Sequence, residues 1–134
     1  MKCLIVEDNG ELADLWQIAL QRDGHEIDRA SDLAEATKIL RFTRYDIVLL
    51  DLMLKGENAI SLSTFVGYTS PSARIVVITG SSMYPRGEIF RDAANVAYVL
   101  RKPVPLSDLS TCLAHLERTA ARQDRPVQHA PKAG

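Results

Sequence analysis

Several short polar clusters each follow directly on an apolar run. Glu7-Asp8 follows Cys3-Leu4-Ile5-Val6, and Asp51 follows Ile47-Val48-Leu49-Leu50. Thr79-Gly80 follows the run from Arg74 to Ile78, and Arg101-Lys102-Pro103 follows Ala97 to Leu100. A carboxylate at the end of a buried run is costly unless something pairs with it. Brought together, three carboxylates repel, which raises some of their pKa values unless a cation is present. A hard divalent cation such as Mg²⁺, held through oxygen, is the natural remedy. His25, His115 and His129 form no ligand spacing, and no Cys/His cluster competes for a softer metal. Lys102 adds a compact positive charge that can neutralise phosphate or carboxylate oxygens. Thr79 adds a hydroxyl donor, and Gly80 leaves room beside it. A carboxylate so surrounded is equipped to take a phosphoryl group as an acyl phosphate.

That chemistry requires elements that bring the clusters to one place. Residues 3–6, 47–50, 74–78 and 97–100 read as buried strands, and His25 to Arg29 as a weak one. Asn9 caps a helix carrying Leu12, Leu15, Trp16, Ala19 and Leu20 at helical spacing, and Gly24 ends it. Ser31 caps a second helix with Leu33, Ala36, Ile39 and Leu40 on its apolar face. A third helix is expected from Glu57 to Tyr68. Pro85 suits the first turn of a fourth, running to about Ala94, where Arg86, Glu88, Arg91 and Asp92 form a solvated face. Pro105 opens the last, with Leu106, Leu109, Leu113 and Leu116 on one side. Strands alternating with helices predict an α/β fold: a doubly wound, five-stranded parallel sheet with five helices. In such sheets functional groups gather beyond the C-terminal strand ends. Strand order 2-1-3-4-5 puts Glu7, Asp8 and Asp51 side by side.

The chain of 134 residues suits one domain, expected over residues 1–120, with residues 121–134 as a polar, flexible tail and no output domain. A net charge of -1 offers no basic field for nucleic acid. Cys3 and Cys112 read as buried thiols in a reducing compartment. No apolar segment is long enough to serve as a signal peptide or span a membrane, so a cytoplasmic location is expected.

These motifs resemble the receiver domain of two-component response regulators, of the single-domain type, over about residues 2 to 120. The ordered set carries the resemblance: Glu7-Asp8, Asp51, Thr79 and Lys102-Pro103, each at the end of an apolar run. The resemblance implies a flavodoxin-like fold with Asp51 as phosphoacceptor. It implies that Glu7, Asp8, Asp51 and the Met53 backbone carbonyl hold Mg²⁺ (or Mn²⁺). It makes Thr79 the switch hydroxyl with Gly80 beside it, Lys102 the phosphate contact, Tyr98 the switch aromatic, and Lys102-Pro103 a cis bond. The chain departs from the family after Asp51. It has no proline there, and Asn58-Ala59 stands roughly where a glycine usually falls. Met53 and Ser81 occupy positions that tune dephosphorylation in this family.

The expected function is therefore a phosphoacceptor switch in a bacterial two-component system. A histidine kinase or histidine phosphotransfer protein donates to Asp51. The signal leaves through protein contact on the face of the fourth helix, fifth strand and fifth helix, or along a phosphorelay. The chain would catalyse only its own phosphorylation and dephosphorylation, as a monomer or a phosphorylation-dependent dimer. One rival is a receiver-like scaffold that binds partners without phosphorylation, which has no need of the acid set. Another is an Asp-nucleophile phosphohydrolase, which commonly carries a second Asp where this chain has Met53.

Overall fold

The computed structural model of the protein describes residues 1–80 and 95–123. The strands are β1 (Lys2–Val6), β2 (Glu26–Ala30), β3 (Ile47–Asp51), β4 (Met53–Leu54), β5 (Glu57–Asn58), β6 (Arg74–Thr79) and β7 (Val96–Arg101). The helices among the described residues are α1 (Gly10–Arg22), α2 (Leu33–Phe42), α3 (Ser61–Thr69) and α4 (Leu106–Gln123). The helix expected at residues 85–94, with Ser81 before it, lies outside the described residues.

The main sheet has the order β2-β1-β3-β6-β7, and every pairing in it is parallel. This is the flavodoxin-like order expected from the sequence. β3 is buried along its whole length and β1 and β6 nearly so, which explains their unbroken apolar runs. On one face, Trp16 and Leu20 of α1 and Leu109 and Leu113 of α4 pack on Ile5, Leu49 and Ile78. On the other, Ala36 and Leu40 of α2 and Leu62 and Val66 of α3 pack on Leu4, Leu50 and Val77. Each such buried leucine, isoleucine or valine contributes about 2 kcal/mol relative to exposure.

Local chemistry sets the ends of the helices. Asn9 accepts the Leu12 N–H at 3.1 Å and starts α1. At its other end Gly24 takes φ +96°, so the His25 N–H reaches Leu20 O and the Gly24 N–H reaches Gln21 O. The cap of α2 is Asp32 rather than Ser31. Asp32 Oδ1 accepts the Glu35 N–H at 2.8 Å, while Glu35 Oε1 accepts both the N–H and the hydroxyl of Ser31. The third helix begins at Ser61, not Glu57. Glu57 and Asn58 instead pair with Leu54 and Met53 in a small antiparallel hairpin. Its turn is Lys55-Gly56, with φ +49° and +81°. The last helix continues to Gln123, past the Ala121 at which the sequence pattern ends.

Cys3 is fully buried and its thiol is pushed up to about 12 by that burial, while Cys112 is only half-buried. Among the described residues, no helix is long and apolar enough to cross a membrane.

Candidate functional site

Parallel pairing aligns the strand ends. Val6 lies opposite Leu50 and Asp51 opposite Ile78, so Glu7, Asp51 and Thr79 emerge at one edge of the sheet. The Glu7, Asp8 and Asp51 carboxylates each place an oxygen within 4.8 Å of the others. Glu7 and Asp51 are buried, at 3% and 4% exposure, while Asp8 is open to solvent. Lys102 joins them from the position just after β7. Its Nζ lies 2.9 Å from Glu7 Oε1 and 3.2 Å from Asp51 Oδ2.

Backbone N–H groups hold the carboxylates in place. Asn9 donates to Glu7 Oε2 at 3.0 Å, Met53 to Asp51 Oδ1 at 3.2 Å, and Lys55 to Asp8 Oδ2 at 2.9 Å. Burial pushes the Glu7 carboxyl up to about 7, against the Asn9 N–H and the Lys102 ammonium, and the Asp51 charge pushes the same way as burial. Burial also acts to raise Asp8, but the Lys55 N–H, Glu7 and Lys102 outweigh it and hold Asp8 below the usual carboxylate range. Burial acts to lower Lys102, and the charges of its close ion-pair partners Glu7 and Asp51 outweigh it, raising the ammonium's pKa.

One atom tests whether a cation suits this cluster. Glu7 Oε1 is buried and, among the described residues, accepts no hydrogen bond. The Lys102 ammonium pairs with it by charge but out of hydrogen-bond direction. Three carboxylates facing one ammonium leave an excess of negative charge, and every donor is a hard oxygen. The residues fit a divalent cation, with Asp8 on the solvent side.

The remaining expected residues are placed as follows. Thr79 is buried at the end of β6, and its carbonyl accepts the Lys102 N–H at 2.9 Å. A Cβ at Gly80 would meet Lys102 Cβ at 4.0 Å, an ordinary contact, so crowding does not demand glycine there. The Lys102-Pro103 bond is cis. Met53 meets Asp51 through its N–H. Tyr98 is not brought to the cluster. It packs on the α1–α4 side of the sheet, its ring edge-on to His115 at 6.1 Å.

Sequence reasoning missed the backbone donors, because an N–H carries no side-chain signature. It also missed the link from Lys55 Nζ to Asp32 at 3.5 Å, which ties the hairpin tip to the α2 cap. The Lys55-Gly56 pair was the available signal for that turn. Beside Lys102, a cavity of about 420 Å³ is lined by Leu12, Trp16, Pro103 and Val104.

The family model for the response regulator receiver domain matches residues 3–114. The chain belongs to this family. A receiver of this kind is similar over 79 residues, at 35% identity, to the virulence transcriptional regulatory protein PhoP of Salmonella typhimurium. That match covers 59% of this chain and 35% of PhoP, so the receiver spans about a third of the relative's length. Among solved structures, a two-component response regulator from Clostridium difficile shares the fold at TM-score 0.80 and 20% identity, covering 93% of this chain and 99% of that one. A Burkholderia pseudomallei response regulator, solved with a phosphorylated aspartic acid, a calcium ion and citrate, superposes at TM-score 0.75 and 24% identity. It covers 92% of this receiver and 72% of its own chain. The receiver thus falls within two-component signalling, and its acid cluster is of the kind that holds a divalent metal.

Proposed function

We propose that this receiver accepts a phosphoryl group on Asp51 from a phosphohistidine of a histidine kinase or phosphotransfer protein. The observation that carries the reading is the surroundings of the Asp51 carboxylate: Lys102 Nζ at 3.2 Å, with Glu7 and Asp8 within 4.8 Å. In the transfer, an Asp51 oxygen bonds to phosphorus as the phosphorus–nitrogen bond of the donor breaks. The imidazole leaves with the electron pair. Glu7, Asp8, Asp51 and the Met53 carbonyl would hold Mg²⁺ (or Mn²⁺), which when bound offsets charge on the phosphoryl oxygens. Lys102, already aimed at Asp51, pairs with those oxygens from its own side. The Met53 N–H holds one Asp51 oxygen and fixes the carboxylate plane. Thr79, at the end of the neighbouring strand, supplies a hydroxyl to the phosphoryl group.

The body of the receiver runs to about residue 120, works in the cytoplasm, and passes its state to another protein or along a relay. Of the face expected to carry output, β7 and α4 lie among the described residues. The phosphohydrolase reading is disfavoured because Met53, not a second acid, stands two residues after Asp51 and offers it only an N–H. Incubation with phosphoramidate and Mg²⁺, followed by proteolytic mapping, tests the proposal. Phosphate on the Asp51 peptide supports it; phosphate only on another peptide, or rapid turnover of generic phosphate esters, contradicts it.

A further inference from the structure

Two loops meet beside the acid cluster, and one lysine joins them. The loop after β2 lies next to the end of β1, where the Glu7 N–H donates to Ala30 O at 3.1 Å. It carries Asp32, the cap of α2. The hairpin tip carries Lys55, whose N–H donates to Asp8 Oδ2 at 2.9 Å while its Nζ lies 3.5 Å from Asp32 Oδ2. The two ends of Lys55 thus engage two different carboxylates. Asp32 is the fixed member of the ion pair, because its other oxygen accepts the Glu35 N–H at 2.8 Å and starts the helix. Lys55 is the movable member, a compact charge on a flexible four-carbon stem that is 59% exposed.

An exposed pair of this kind adds little to stability. Its placement matters more. The Lys55 N–H touches Asp8, so the side chain hangs from the rim of the cluster. An ammonium released from Asp32 is free to turn to Asp8, the solvent-side carboxylate, and to compete there with a divalent cation. Lys102 already offsets the charge of Glu7 and Asp51 from the inner side. A second ammonium at Asp8 would reduce the negative excess that draws the cation in. We propose that Asp32 is a positioning residue for the cation site: by pairing with Lys55 Nζ it keeps that ammonium away from Asp8. The inference rests on the reading of Glu7, Asp8 and Asp51 as cation ligands. The cap of α2 therefore has a second task, and the hairpin is held to it by charge.

Melting temperatures of the full chain during titration with MgCl₂ test this, each variant read against its own value in chelator. Asp32→Asn keeps a good cap and removes the charge. Its midpoint should rise roughly fivefold, the scale of one exposed charge at contact distance, and the gap from wild type should narrow in high salt. Asp32→Ser, also a good cap, should do the same. Adding Lys55→Met, which removes the ammonium and keeps the N–H, should return either variant to the wild-type midpoint. A residue that served only as a helix cap would show no such rescue. A wild-type midpoint in both Asp32 variants, or an equal rise with and without Lys55→Met, overturns the inference alone. No Mg²⁺-dependent stabilisation of the wild type overturns the cation reading and this inference with it.

Discussion

The Lys102 ammonium lies 3.2 Å from Asp51 Oδ2 and shares its charge with Glu7 Oε1 at 2.9 Å. One cation thus serves two buried carboxylates delivered by different strands. Lys102→Met should leave both without a partner. The expected cost is about 2 kcal/mol, reduced from the deep-burial range because the lysine is partly exposed. Urea denaturation in a chelator, with and without added Mg²⁺, measures it. A divalent cation should recover much of the loss.

Glu7 gives the site a pH signature. Its carboxyl is raised from 4.5 to about 7, chiefly by burial. The folded chain therefore holds a proton that the unfolded chain has released between those values. Without a divalent cation, this group's contribution to stability falls as pH rises from about 4.5 to about 7. Melting temperatures across that range in a chelator should show the slope, and Glu7→Gln should flatten it.

Divalent cation and Asp8 should be linked. Asp8 is the solvent-side carboxylate, with one oxygen already taken by the Lys55 N–H. Mg²⁺ at about 100 times its dissociation constant should stabilise the wild type by about 2.7 kcal/mol. Asp8→Asn should shift the midpoint of that titration to higher Mg²⁺ and lower the melting temperature in chelator slightly, because the contacts that hold Asp8 below the usual carboxylate range favour its charged form. An unchanged midpoint would exclude Asp8 from the cation site.

The Lys55-Gly56 turn makes a prediction about backbone strain. Lys55 sits at φ +49°, where a β-branched residue is strongly disfavoured. Lys55→Val should cost about 2 kcal/mol and weaken Mg²⁺ binding, because the N–H that holds Asp8 moves with the turn. Lys55→Gly keeps the N–H and fits the conformation, so its Mg²⁺ midpoint should match the wild type. Thermal melts and the same titration distinguish the two.

The parts legible in the sequence were those with a strong one-dimensional signal. Residues 3–6, 47–50 and 74–78 are buried on both faces, so their apolar runs marked strands, and the polar residues after them marked the site edge. The α2 cap was misplaced by one position because Ser31 and Asp32 are both good caps. The hairpin of β4 and β5 was invisible because two-residue strands carry no period, and Glu57-Asn58 then read as the start of a helix. The side occupied by Tyr98 was set by a bulge at Ala97, and nothing in Val96-Ala97-Tyr98-Val99 announces which residue is the extra one. The hydrogen bonds from Asn9, Met53 and Lys55 depend on chain path alone, so no residue type could have revealed them.

The central claim is that Asp51 is the acceptor and that the acid cluster supports it through a divalent cation. Intact-mass spectrometry after incubation with acetyl phosphate is the direct measurement, on wild type and Asp51→Asn, each with Mg²⁺ and with chelator. The predicted result is a single added phosphate on the wild type with Mg²⁺, absent from the variant and from the chelated sample. An unmodified wild type under conditions where Mg²⁺ binding is verified, or equal phosphate on Asp51→Asn, would contradict the account.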